Sequence, residues 1–191
     1  MNEPEYREHR FVEKIDGVKT VVDLDKLKAE RVSDESYSTI HRNTVIATHD
    51  AVITYNDGIV LMERIGKPLQ GFIWLPGGRM LRGIPTEESL AKAVKRECGL
   101  DIDNFEYAGT ERAFMPVDPL GHGHGADTVG PIFYVKGYGN LMTDVDKKHN
   151  HPLLVTPDRY AGIRESLHPF VQKYTDTAIG RIATARMGNK K

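Results

Sequence analysis

Apolar residues return at positions 90, 91, 94 and 98, the three-and-four spacing of a helix that buries one face. Thr86 precedes that stripe as a candidate N-cap, with Glu87 and Glu88 in the first turn, and Gly99 stands where a helix stops. Ahead of it runs an aromatic and apolar strand, residues 72–75, which enters a turn at Pro76-Gly77-Gly78. Residues 37–42 and 44–55 are rich in β-branched and aromatic positions and predict two strands. Asn56-Asp57-Gly58 predicts a hairpin turn, and residues 59–63 the return strand. Further strands are expected over 105–114 and 128–138, with a Pro/Gly/His loop over 116–127 between them and a polar loop over 139–152. Thr156-Pro157 opens a helix, which Pro169 divides in two, the second ending near Ile179. The result is a mixed α/β chain, of the α+β kind, with a curved sheet between helices.

The ends follow different patterns. Residues 1–34 alternate charges with short apolar runs, which predicts a small hairpin and a helical piece over 24–31, an arm added to a body spanning 35–180. Residues 181–191 read as a basic, frayed tail.

Composition narrows the partners. A net charge of −1 over 191 residues favours neither nucleic acid nor membrane. Nothing approaches the length of an apolar span, and the charged first ten residues lack the core of a secretion signal, so the expected location is cytoplasmic. One cysteine, Cys98, excludes an intrachain disulfide, and its place on the apolar stripe suits packing.

Glu97 carries the first hint of chemistry. At about 100° per residue it projects roughly 60–70° from the centre of the stripe, whereas Lys92, Lys95 and Arg96 project outward. A carboxylate at the edge of a buried face needs a cation or hydrogen-bond donors. A half-exposed last-turn glutamate would fit the same pattern.

The order of strand, Gly-Gly turn and helix ending in Glu97-Cys98-Gly99-Leu100 resembles the Nudix hydrolase box, with twenty residues between Gly78 and Gly99. The usual glutamate-rich core is reduced here to Lys92-Ala93-Val94-Lys95-Arg96-Glu97, and Ile84 stands at the early glutamate position. That reduction is similar to the GDP-mannose mannosyl hydrolase branch. The likeness extends to Arg64, Lys67-Pro68, Gln70-Gly71-Phe72 and Pro76-Gly77-Gly78-Arg79, and upstream to residues 35–50.

The resemblance implies a Nudix fold, a homodimer and a nucleoside-diphosphate sugar as substrate. Glu97 and the Gly78 carbonyl would hold one Mg²⁺, and Arg79 and Arg64 would neutralise the diphosphate, as guanidinium does through bidentate contacts. Gln70 and Lys92 fall at substrate-binding positions, although Lys92 projects outward, and Asp50 would hold the sugar or orient the site. The branch carries its general base as a histidine entering a late strand. Here that segment, residues 128–134, has none, which leaves His124, and after it His122, on the loop just upstream. His149 and His151 read as surface residues. With one box carboxylate left, the implied reaction is water attack at the sugar's anomeric carbon. Two alternatives stay open: a diphosphatase cutting P–O–P in ADP-ribose or a related nucleotide, and a Nudix-fold nucleotide-binding protein without catalysis.

Overall fold

The computed structural model describes residues 5–142 and 151–188. Its centre is a seven-stranded mixed sheet. An arm comes first: strands β1 (Val12–Ile15) and β2 (Val18–Val21) form a separate antiparallel pair, followed by a four-residue helix α1 (Leu24–Leu27). Residues 28–31, expected to continue that helix, lie outside it.

Helix α2 (Asp34–Asn43) corrects the strand expected over 37–42. Ser33 caps it by accepting from the Ser36 amide at 3.2 Å, and Asp34 and Glu35 occupy the first turn. Those polar end signals outweigh the β-branched content of the segment.

Strand β3 (Ile46–Tyr55) turns at Asn56-Asp57 into β4 (Gly58–Glu63), the expected hairpin. The two strands pair only over Ile53–Tyr55 and part toward the start of β3. Two short strands fill the opening, β5 (Ile73–Trp74) on β4 and β6 (Gly77–Arg79) on β3. The Gly-Gly turn is therefore itself a strand, with Gly77 opposite Asp50 and Gly78 opposite His49. Helix α3 (Thr86–Cys98) follows and ends on Gly99 in the left-handed conformation.

Strands β7 (Asp101–Met115) and β8 (Ala126–Tyr138) form a long antiparallel pair, and β8 lies parallel to the other edge of β3. An unexpected strand β9 (His151–Val155) pairs with β4; its first two residues fall at the end of the expected polar loop. His149 lies outside the described residues, and His151 is half-buried in β9. Helices α4 (Pro157–Ile163) and α5 (Pro169–Gly188) close the chain. Thr156 caps α4 as expected, but α5 runs on past Ile179 through much of the tail read as frayed.

The alternation of the central strands explains the layers. Ala51 and Ile53 of β3, with Val60 and Met62 of β4, face α3 and pack on Leu90, Val94 and Cys98. Val52, Ile59 and Leu61 face the other way, onto Val171, Tyr174 and Ala178 of α5. The sheet is thus clamped between α3 and the α4–α5 pair. No helix among the described residues is long and apolar enough to cross a membrane.

Candidate active site

A cavity of about 250 Å³ opens where β3 and β4 part. Ile46, Thr48 and Asp50 alternate along β3 into its wall, on the face shared with Val52. Gly77, Gly78 and Arg79 of β6 form a second wall, Glu97 of α3 reaches in from one side and Arg64 from the end of β4. Asp50, Arg64, Gly78, Arg79 and Glu97, singled out in the sequence, therefore come together.

Glycine at position 77 is required by this meeting. A Cβ there would strike the His49 carbonyl oxygen and stand 2.8 Å from the Asp50 Cα. The main-chain N–H of Gly77 in turn donates to Glu97 Oε2 at 3.3 Å, tying helix α3 to the strand.

Glu97 is four-fifths buried, its side chain 21% exposed, and its other oxygen meets the exposed Arg96 guanidinium at 3.5 Å. Burial raises its pKa, and the Gly77 N–H, Arg96 and Arg64 only partly oppose the rise. Asp50 is pushed up to about 7, by burial first and then by Glu97, with Arg64 acting against both. Burial lowers the pKa of Arg64, against the attraction of these two carboxylates, and its Nε donates to the Pro68 carbonyl at 2.9 Å. Two inward carboxylates thus share the half-buried Arg64 guanidinium, with the exposed Arg96 on Glu97 alone, an environment that favours a further cation. A carboxylate oxygen is a hard donor and suits Mg²⁺ that takes its remaining ligands from water and phosphate. Among the described residues no cluster of three or more His, Cys, Asp or Glu could hold a metal by itself.

Other expected residues stand apart. Lys92 faces outward and pairs with Glu88 at 2.6 Å, one helical turn away. Gln70 is exposed and lies outside the cavity lining, as does His124. Thr86 is not the N-cap of α3; Pro85 holds that place, and Thr86 gives both its main-chain N–H and its hydroxyl to Glu8 of the arm, at 2.8 and 2.5 Å. Cys98 is buried against Met62, and burial followed by Glu97 pushes its thiol up to about 12, which suits packing and not reactivity.

The structure adds residues that sequence reasoning missed. Tyr37 and His41, one turn apart on α2, line the cavity, and the Arg79 guanidinium lies 4.4 Å over the Tyr37 ring. A serine cap followed by acidic residues was the signal for that helix. Trp74 stacks face to face on Phe170 of α5 at 4.9 Å, and both rings line the cavity. Behind β6, the buried His49 bonds Ser89 at 2.7 Å, and Ser89 accepts the Leu81 N–H, bracing the segment after Arg79. Glu111, also in the lining, is occupied by Lys173 and Tyr174.

No family model matches the chain. It is 23% identical over 146 residues to the low-salt glycan biosynthesis protein Agl8 of Haloferax volcanii, covering 76% of this chain and 90% of that protein. Among solved structures it resembles a MutT protein from Methanosarcina mazei, with a TM-score of 0.52 and 18% identity over 77% of this chain and 96% of the other. A NUDIX hydrolase from Nitrosomonas europaea gives 0.52 and 17%, covering 68% and 85%. A MutT NUDIX hydrolase from Burkholderia pseudomallei gives 0.50 and 19%, covering 61% and 86%. The fold they share with this chain is the Nudix fold.

Proposed function

We propose that the chain is a Mg²⁺-dependent Nudix hydrolase of nucleoside-diphosphate sugars, acting on GDP-mannose-like substrates at the sugar's anomeric carbon. The observation that carries this reading is the single box carboxylate, Glu97, turned inward beside Gly77-Gly78 while Lys92 and Lys95 turn away to pair with Glu88 and Asp101. Attack at phosphorus in this fold commonly draws on several carboxylates and metals; departure of a whole nucleoside diphosphate needs only charge neutralised on the leaving group. The glycan-biosynthesis relative supports a sugar nucleotide as substrate.

Glu97 and the Gly78 carbonyl would hold the metal, whose chemistry is to stabilise the diphosphate as negative charge builds on it. Arg79, seated on Tyr37, and Arg64 add two cations to the same oxygens. Water adds to C1 as the bond from C1 to the phosphate oxygen breaks, leaving free sugar and nucleoside diphosphate. Glu111 is engaged by Lys173 and Tyr174, and the Asp50 side chain has no hydrogen bond or ion pair among the described residues. That leaves Asp50 to accept the water's proton in place of the exposed His124.

Turnover of GDP-mannose with Mg²⁺ in ¹⁸O-labelled water tests the reading. The label is expected in the sugar, released as the inverted anomer, with none in the nucleotide. Arg79→Ala should slow the reaction about 10²–10³-fold, as deletion of a charge-stabilising donor does. Label in a nucleoside monophosphate or sugar phosphate would establish the diphosphatase reading instead.

A further inference from the structure

One chain of hydrogen bonds enters the cavity from the β7–β8 loop. Its first link is the main-chain N–H of His124, which donates to Nδ1 of His122 at 3.1 Å. A main-chain N–H cannot accept, so Nδ1 of His122 carries no hydrogen and the ring hydrogen is on Nε2. Asp118 Oδ2 lies 3.6 Å from the same Nδ1, beyond a hydrogen bond. That carboxylate is already filled by the N–H groups of Leu120, His122 and Gly123 at 2.8, 3.0 and 2.8 Å.

The second link is Nε2 of His122 to Nδ1 of His41, 2.8 Å apart. The hydrogen between them belongs to His122, so Nδ1 of His41 accepts. The hydrogen of His41 is then on Nε2, which has no hydrogen-bond partner among the described residues. The ring is nearly buried, at 7% exposure, and the open space it borders is the cavity.

We propose that His41 is a substrate-contacting donor, locked in its Nε2–H form by His122 and the His124 main chain, which holds an oxygen of the sugar in a bound nucleoside-diphosphate sugar. The assignment rests on the proposed function above. The sugar, and not the base, is indicated by the layout of the walls. Along β3 the same-face positions run from Asp50, at the Glu97 end, to Ile46, roughly 13 Å at strand rise. Helix α2 ends just before that strand, so His41 stands at the far end from the metal-binding carboxylate. There it is joined by the hydroxyl residue Thr128, opposite Ile46, with Thr48 midway along the strand. The Trp74–Phe170 stack, the aromatic part of the lining, is the place for a base.

Charge at His41 agrees with a donor role. Burial first, then His122, lowers its pKa against the pull of Asp118, so the ring stays neutral at pH 7 and holds one N–H. Tyr37 from its own helix is a further titratable neighbour, with the Arg79 guanidinium over that ring.

Two measurements on the full chain decide the matter. Long-range ¹H–¹⁵N spectra of histidine-labelled protein should find both His41 and His122 as Nε2–H, and His122→Phe should turn the His41 signal into a tautomer mixture. A hydrogen on Nδ1 of His41 in the unmodified protein overturns the proposal, whatever the ligand. Calorimetry with Mg²⁺ should show His41→Leu weakening GDP-mannose about 10- to 100-fold, the range of one lost buried hydrogen bond. GDP alone should lose less than about twofold. His41→Gln, which returns an N–H near the Nε2 position, should recover most of the loss. If the unmodified protein binds GDP-mannose and His41→Leu binds it equally, or loses GDP as much, the His41 assignment falls alone. If the unmodified protein binds neither nucleotide, the proposed function falls and the sugar assignment with it.

Discussion

At the scale of single residues the site turns on Glu97, a carboxylate whose burial costs the chain energy that a cation can return. Replacing it with glutamine keeps the shape and removes the charge. Glu97→Gln should abolish Mg²⁺-dependent turnover while the melting temperature stays level or rises slightly, read by activity and calorimetry on one preparation; undiminished activity would remove Glu97 from the metal site. Glu97, Gly78 and Arg79 could be picked out in the sequence because their relation is local, a strand, a tight pair of glycines and one helix of fixed pitch. His41 could not. Its partner His122 lies 81 residues away, and no periodicity within α2 points to it. Gln70 and Lys92 came from the resemblance and His124 from its place on the loop; only for Lys92, on a helix of fixed pitch, was the outward direction legible in the sequence, and it does face out.

Among the elements, α3 and α2 make opposite cases. Helix α3 was legible in its stripe and stop, but its start was not, because the group that satisfies its first N–H lies in the arm. Glu8 also sets a carboxylate at the positive end of the helix dipole, near the end remote from Glu97. Glu8→Ala should therefore destabilise the protein by about 0.5–2 kcal/mol, the cost of a lost N-cap, read from urea unfolding. An unchanged midpoint would mean that solvent satisfies Thr86 equally well. Helix α2 was misread as strand because Tyr37, Thr39 and Ile40 favour β-structure, whereas its end signals are polar and few. Strand β9 was hidden for another reason: its pairing with β4 is long-range, and its sequence, HPLLV, is too short for alternation to register.

For the whole molecule, the layered sheet followed from strand alternation, since a one-residue slip would have turned each apolar set to the wrong face. The arm did not resolve itself in the same way. Phe11, Val12, Val18 and Val21 of the β1–β2 region are 49–73% exposed, on a two-stranded ribbon of a kind that is marginal in water by itself. A homodimer, implied by the family resemblance, would cover this surface. Sedimentation at micromolar concentration should find a dimer, and Phe11→Asp should shift it toward monomer with the circular dichroism unchanged. A monomer for the unmodified chain would show that the ribbon is not a dimer contact.

The bond from Glu8 to Thr86 spans 78 residues, which has a consequence for how the chain is made. On a ribosome adding about 5–20 residues per second, Glu8 emerges roughly 4–16 seconds before the helix it will cap. Throughout that interval the arm has no helix end to hold, and Tyr6 lacks the Tyr107 and Phe133 rings against which it finally rests. A segment synthesised early is thus among the last to be secured. A nascent chain arrested before residue 86 clears the exit tunnel should leave its arm open to protease, and one arrested after the whole sheet has emerged should protect it.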